Sequence, residues 1–160
     1  MAGAKHSKPR KKSTPRPQPR AAPACELCAQ TGGEVLWHDQ RCRVVLINDA
    51  DYAGFCRVIW NAHVREMTDL SAADRGHCMR VVLAVEAALR KLLKPHKINL
   101  ASLGNMTPHV HWHVIPRDTR DAHFPNPVWG EKRRKTPRNA VRARAIRLRG
   151  RLAAELLNLL

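Results

Sequence analysis

The alternation of histidine with apolar residues in "HVHWHVIP", residues 109–116, restricts the fold of this chain more than any other feature of its sequence. In a β-strand successive side chains point to opposite faces, so the three histidines share one face and Val110, Trp112 and Val114 share the other. The apolar face packs on a core and fixes the register, because a slip of one residue would expose it. The histidines then lie together on the opposite face.

His109, His111 and His113 could be metal ligands, a catalytic array, or simply the solvated face of a strand. Chance clustering is a poor explanation, because a third of the nine histidines fall within five positions. Three parallel side chains on a flat strand do not converge easily on one tetrahedral metal ion. We therefore interpret the three imidazoles as the lining of a groove that faces an anionic substrate.

The rest of the central segment predicts four more strands and one long helix. The strands are "EVLWH" (34–38), "RCRVVLIN" (41–48), "FCRVIW" (55–60) and "KINLASLG" (97–104). The helix begins after Ser71, whose side chain can form a capping box with Asp74, and it ends before Pro95. Its predicted buried stripe is Met79, Val82, Val85, Leu89 and Leu92. Together these elements predict an α+β domain with an antiparallel sheet of about five strands and one long helix.

The net charge of +16 is concentrated at the two ends of the chain. Residues 1–20 contain 7 Lys and Arg and no acids, and residues 130–160 contain 10 Lys and Arg against two glutamates. The central part is therefore nearly neutral, with 12 basic and 11 acidic residues. We predict a disordered basic, Pro-rich tail over 1–23, a folded domain over 24–130, and a basic amphipathic helical tail over 131–160.

The C-terminal tail places apolar residues at helical spacing among its arginines, and Gly150 is predicted to interrupt that helix. The apolar positions are Val141, Ala145, Leu148, Leu152, Leu156 and Leu159. Docking on the domain or on a dimer partner is the favoured interpretation, and a role at a membrane surface or on nucleic acid is the alternative. No apolar run is long enough to span a membrane. The N-terminus has no secretory apolar region, so a cytoplasmic location with reduced cysteines is expected.

Several motifs of the central domain resemble those of a known family. "HVHWHVIPR" is similar to the His-φ-His-φ-His-φ-φ signature (φ apolar) of the histidine triad, or HIT, family of nucleotide hydrolases and transferases. "CRVVLIND…GFCRVIWNAHVREMTDL" and "INLASLGN" resemble the family's flanking segments, and "DAHFPNPVWG" resembles bacterial members related to diadenosine tetraphosphate hydrolases. The resemblance covers about Cys25 to Trp129 and implies a HIT-like fold and a homodimer that takes a nucleotide substrate.

The resemblance also implies roles for individual residues. His111 takes the place of the nucleophile that attacks an α-phosphate, and His113 would face that phosphate and help neutralise its charge. Asn99 and Asn105 are amide candidates for phosphate binding, while Asn48 or Asp49 matches the ribose-binding position with an ambiguity of one residue. Met106 replaces a serine hydroxyl found in several relatives, which leaves the leaving-group acid unassigned.

Cys25 and Cys28 form a Cys-x2-Cys pair, which is half of a zinc site and a weak signal alone. Some bacterial HIT proteins bind zinc through such a pair together with the histidines that match His63 and His109. The resemblance thus implies a closed, structural Cys2His2 zinc site, and no organic cofactor is expected. The alternative is two buried or idle thiols.

Two classes of function remain from the sequence. One is a HIT-type hydrolase of dinucleoside polyphosphates or nucleoside phosphoramidates. The other is a nucleotide-sensing binding module whose basic tails hold nucleic acid or another polyanion. The tails have no aromatic residue among their Lys and Arg up to residue 22 or beyond residue 130, so base stacking is unsupported and any such binding would be non-specific. Salt-sensitive binding that disappears when both tails are removed would favour the second class.

Overall fold

The computed structural model describes residues 25–136 and 138–160, so the predicted tail 1–23 lies outside it. The described elements are, in chain order, a short helix α1 (Glu26–Ala29), strands β1 (Glu34–His38), β2 (Cys42–Leu46) and β3 (Cys56–Trp60), helix α2 (Ala72–Leu93), strands β4 (Lys97–Ala101) and β5 (His111–Arg117), and helix α3 (Arg138–Leu159). A single 3-10 turn, Met67–Asp69, precedes α2. The predicted α+β fold class is confirmed.

The five strands form one antiparallel sheet in the order β1-β2-β3-β5-β4. Strand β5 is therefore flanked on both sides, by β3 and by β4. All five predicted strands are present, although β2 and β4 end earlier than predicted. The chain leaves β2 in a tight turn, in which the backbone N–H of Asp49 donates to the carbonyl of Ile47 at 2.9 Å.

Alternating side chains give the sheet two different faces. One face contributes Val44, Val58 and Val114 to the main core, which α2 and α3 cover. The opposite face contributes Val45 and Ile59 to a small cluster beneath α1, and Ile115 to another beneath the loop 47–55. His111 and His113 share this opposite face with Ile115. We call it the site face.

Helix α2 begins as predicted. The Ser71 hydroxyl accepts the backbone N–H of Asp74 at 3.1 Å and donates to its carboxylate at 2.8 Å. The predicted stripe is correct for three positions and wrong for two, because Met79 and Leu92 are only partly buried. The fully buried set is instead Cys78, Val81, Val82, Val85, Ala88 and Leu89. This face is wider than a single stripe because α2 packs against both the sheet and α3.

Helix α3 packs on the domain itself, against α2 and β1. Leu148, Leu152 and Leu156 are buried in the main core, whereas Leu159 at the end is 46% exposed. The predicted interruption at Gly150 is wrong, since the helix runs through it. An exposed glycine within a helix lowers stability by only about 1 kcal/mol relative to alanine. Burial of the flanking leucines stabilises the helix by more than that. No helix in the described ranges is long and apolar enough to cross a membrane.

The docking of α3 predicts a large effect of one substitution. Leu152 has 0% exposure, so Leu152→Ala should lower the free energy of unfolding by about 2–5 kcal/mol through lost burial and a cavity. Ile146, on the same helix, is 62% exposed. Ile146→Ala should therefore change the free energy of unfolding by less than about 0.5 kcal/mol. Urea unfolding of both variants measures the difference. Equal midpoints would show that α3 does not share the core.

Candidate active site and metal cluster

His109 lies just before β5 rather than within it. Backbone hydrogen bonds tie this part of the chain to the segment after β3, with Val110 donating to the Val64 carbonyl at 2.7 Å and Trp60 donating to the Val110 carbonyl at 3.0 Å. The prediction that all three histidines lie within one strand is therefore wrong for His109. Its ring still lies on the same side of the sheet as His111, because its Nδ1 is 3.4 Å from the sulfur of Cys25, a member of the cluster beneath α1. The ring packs edge-on against His63, with 5.3 Å between the ring centroids.

His111 is held in one tautomer by a backbone carbonyl. Its Nδ1 lies 2.6 Å from the carbonyl oxygen of His109. Because a carbonyl only accepts, Nδ1 carries the proton and Nε2 carries a lone pair. Burial, reinforced by the nearby Arg57, lowers the pKa of this imidazole, so the ring is neutral at pH 7. A neutral imidazole with an unprotonated Nε2 can act as a nucleophile or as a base.

His113 is the neighbour of His111 on the site face, with 5.0 Å between the ring centroids. Burial, together with Arg57 and His111, lowers the pKa of His113 to about 4. Its Nε2 is buried and has no hydrogen-bond partner among the described residues. At neutral pH His113 therefore offers a hydrogen bond to a ligand rather than the positive charge expected from the sequence.

Arg57 is a site residue that the sequence analysis missed. It lies on β3 directly opposite His113 in the β3–β5 register, so both side chains are on the site face. Its guanidinium carbon is 5.8 Å from the centroid of the Phe55 ring. The available signal was a single charged residue inside the otherwise apolar stretch "FCRVIW", at a position that alternates with the buried Val58.

Asn99 also belongs to the site face, because its partner on β5 is Ile115. Ile115 lies two residues after His113 and therefore on the same face of the strand. Its side-chain oxygen accepts from Arg117 Nη1 at 2.8 Å. Arg117 is itself held by a buried ion pair with Asp121 at 2.7 Å. Because a guanidinium only donates, this contact fixes the amide orientation, and the NH2 group of Asn99 is left to donate.

The remaining nucleotide-binding candidates lie in loops. Asn48 is exposed, whereas Asp49 is half-buried and its carboxylate accepts the backbone N–H groups of Asp51 and Tyr52 at 2.7 and 3.0 Å. Asp49 is thus committed to shaping the loop 47–55. Asn105 is exposed in the loop between β4 and β5, and no described contact joins it to His111.

The four predicted metal ligands come together. The nearest ligand atoms of Cys25, Cys28, His63 and His109 all lie within 4.8 Å of one another. The sulfur-to-Nδ1 distances are 3.4 Å for Cys25 with His109, 3.4 Å for Cys28 with His63 and 3.5 Å for Cys28 with His109. A tetrahedral zinc site has sulfur–nitrogen edges of about 3.6 Å, given its usual bond lengths. The cluster has the dimensions of such a site.

The protonation states in this cluster also suit a metal ion. His109 donates through Nε2 to the Trp60 carbonyl at 2.6 Å, which leaves the Nδ1 lone pair towards the sulfurs. Burial and the neighbouring Cys25 raise the pKa of the Cys28 thiol, so a thiolate there needs a cation. The single turn of α1 brings Cys25 and Cys28 to one side. Arg43 holds that turn in place through the carbonyl of Leu27 at 2.6 Å.

A comparison with protein families adds an independent finding. Residues 29–120, more than half of the chain, match the family model of the HIT domain. The chain belongs to the HIT domain family. The matched range of this HIT domain includes His63, His109, His111 and His113, and it ends before α3.

Solved histidine triad proteins share the HIT fold described above. A protein from Marinobacter aquaeolei VT8 is 25% identical with a TM-score of 0.68, covering 86% of this chain and 97% of that one. One from Bradyrhizobium japonicum is 27% identical with a TM-score of 0.59, covering 74% and 92%. A Zn-bound family member from Mycobacterium smegmatis is 20% identical with a TM-score of 0.58, covering 82% and 94%. No curated protein matches the chain.

Proposed function

We propose that this HIT domain cleaves a nucleoside phosphate derivative at its α-phosphate through a nucleotidyl intermediate on His111. The observation that supports this most strongly is the 2.6 Å hydrogen bond from His111 Nδ1 to the His109 carbonyl. It orients the ring and leaves the lone pair on Nε2, the arrangement that a nitrogen nucleophile needs. The family membership supports the same class of reaction.

The proposed reaction has two displacements at phosphorus. In the first, the Nε2 lone pair of His111 forms a bond to the α-phosphorus, and the bond from phosphorus to the leaving group breaks with its electron pair going to that group. In the second, water attacks the same phosphorus and releases a proton to solvent, the phosphorus–nitrogen bond breaks, and the electron pair returns to Nε2. The proton on Nδ1 stays there throughout and is donated in a hydrogen bond to the carbonyl of His109, which stabilises the imidazolium between the steps.

Side chains of the site face and its loops would position the substrate. His113 and the NH2 group of Asn99 can donate hydrogen bonds to phosphate oxygens. We assign ribose binding to the exposed Asn48, because Oδ1 of the half-buried Asp49 already accepts two backbone N–H groups of the loop. Asn105 would reach the phosphate only if its exposed loop folds over a bound nucleotide, and Met106 beside it is 97% exposed and supplies no acid.

We also propose that the cluster of Cys25, Cys28, His63 and His109 holds a structural zinc ion. Two thiolates balance the charge of Zn²⁺, and four protein ligands close the site to substrate. The ion would cross-link α1, the segment after β3 and the start of β5. The solved M. smegmatis protein described as Zn-bound supports this assignment.

A hydrolysis screen tests the reaction class. Wild-type protein is incubated with dinucleoside polyphosphates and with nucleoside phosphoramidates, each with adenine and with guanine, and products are separated by chromatography. We expect a nucleoside monophosphate product from at least one of these two substrate classes. In ¹⁸O-labelled water the label should enter that monophosphate, because water attacks the α-phosphorus. Label in the other product, or no turnover of any compound, would contradict the proposal.

Three further expectations from the sequence stay predictions. They are a homodimer, non-specific binding of polyanions through the basic segments, and a cytoplasmic location. Sedimentation velocity measures the first, the salt dependence of DNA and RNA binding measures the second, and fractionation of cells that express the protein measures the third.

A further inference from the structure

Among the residues that the structure describes, Arg57 differs from the other arginines of the site face in having no acceptor. Arg43 donates to the carbonyls of Leu27 at 2.6 Å and Thr31 at 2.9 Å, and Arg117 donates to the Asp121 carboxylate at 2.7 Å. By contrast, Arg57 Nε is buried without a hydrogen-bond partner within residues 25–136 and 138–160, and none of the ion pairs in those ranges includes Arg57. An unpaired buried donor lowers stability, so the buried Nε of Arg57 points to a ligand that pairs with it.

Arg57 lies beside both histidines of the site face. Arg57 stands directly across from His113 on adjacent strands, and one diagonal step from His111, whose direct partner is Ile59. Diagonal neighbours on one face are close enough for a long side chain to reach. His113 Nε2, like Arg57 Nε, is buried without a partner among the described residues. Two unsatisfied nitrogens therefore flank the proposed nucleophile.

The Phe55 ring supports both groups from one side. Its centroid is 5.8 Å from the guanidinium carbon of Arg57 and 5.5 Å from the centroid of the His113 ring, which meets it edge-on. Phe55 is 8% exposed, so it forms a rigid apolar wall. A guanidinium that packs over an aromatic face keeps its N–H groups, which lie in its own plane, able to bind a pair of oxygens.

We propose that Arg57 binds the phosphate that His111 attacks, with its guanidinium donating to two non-bridging oxygens while His113 donates to the same group. This inference rests on the proposed function and adds to it the positively charged side chain that binds the phosphate. Arginine is charged at all physiological pH values and matches phosphate geometry bidentately. Arg57 thus supplies a permanent positive charge that offsets the negative equatorial oxygens in the transition state.

The test compares Arg57→Gln and Arg57→Lys with Arg90→Gln, a change at an exposed arginine on α2. Binding of adenosine and guanosine 5′-monophosphates, and of the two nucleosides, is measured by calorimetry. We expect Arg57→Gln to weaken nucleotide binding by about 10- to 100-fold with nucleoside binding unchanged, and to lower kcat/KM by about 100- to 1,000-fold. Arg57→Lys keeps the positive charge but loses the two parallel N–H donors of the guanidinium. Its losses of nucleotide affinity and of kcat/KM should therefore be intermediate. Arg90→Gln should match wild type.

Each outcome bears on the proposal. Wild-type nucleotide affinity in Arg57→Gln would overturn it while leaving the nucleophile assignment intact. An equal loss of nucleoside and nucleotide binding would also overturn it, since that pattern indicates a merely structural arginine. If the wild-type protein itself bound no nucleotide and turned over no substrate, the proposed function would fail, and the role of Arg57 with it. Rescue of Arg57→Ala turnover by added ethylguanidinium would support the role directly.

Discussion

Replacing His111 with alanine is expected to lower kcat by about 10⁴- to 10⁶-fold, the range seen when an enzyme loses its nucleophile. The substitution removes the nitrogen proposed to form the phosphorus–nitrogen bond, whereas the groups proposed to bind phosphate stay in place. Nucleotide affinity should therefore fall much less than turnover. This separation of binding from chemistry is the signature of a nucleophile rather than of a binding residue.

The measurement combines turnover with trapping of the intermediate. Wild-type protein mixed with labelled substrate and quenched rapidly should carry an acid-labile, alkali-stable label, as expected for a phosphorus–nitrogen bond. His111→Ala should carry none. His38→Ala, a change at an exposed histidine on β1, is the matched control and should keep both label and turnover. Substantial turnover in the His111→Ala protein would rule out His111 as the nucleophile.

Removal of zinc is expected to lower the melting temperature by about 8–16 °C. A zinc concentration about 1,000-fold above the dissociation constant stabilises a protein by about 4 kcal/mol, and 1 kcal/mol corresponds to about 2–4 °C for a domain of this size. The effect should be smaller than in isolated zinc fingers, because the main core beneath α2 and α3 does not depend on the metal. The protein should therefore remain folded, with α1 loosened from the sheet.

Calorimetric scans with and without a chelator measure this shift, and elemental analysis should find one zinc per chain. Cys28→Ser should abolish the chelator-dependent shift, since it removes a ligand of the cluster. Cys78→Ala is the control. This buried cysteine of α2 lies outside the cluster, so the variant should melt lower in absolute terms yet keep the full shift. A chelator effect that persists in Cys28→Ser, or that is absent from wild type, would contradict the assignment.

Much of the fold follows from local patterns in the sequence. The alternation of polar and apolar residues placed His111 and His113 on one face of β5, and the structure has them there with ring centroids 5.0 Å apart. The Ser71–Asp74 capping box marked the start of α2, because both partners of that interaction lie within one helical turn. Such features depend on residues a few positions apart, so the sequence contains all the information they need.

Other features depend on residues that are distant in the sequence. Strand β5 begins only at His111, and Val110 before it bonds to Val64, 46 positions earlier, a pairing that the local alternation does not reveal. The wide buried face of α2 reflects packing against α3, which no periodicity of α2 alone could reveal. The leucine spacing of α3 was visible in the sequence. The sequence did not show whether this helix covers its own domain or a partner, and the structure places it on α2 and β1.

The division between the two kinds of information is clearest at the site. A family signature of seven residues identified His109, His111 and His113, and the Cys-x2-Cys pair was visible as half of a metal site. The residue pattern alone treated the three imidazoles as equivalent, and only the resemblance to the family separated His109, beside the thiols, from His111 and His113. The pattern marked Arg57 only as a charged residue in an apolar stretch, because what distinguishes Arg57 from Arg43 and Arg117 is the set of acceptors around each side chain. Those acceptors are brought near, or kept away, by the pairing of strands far apart along the chain.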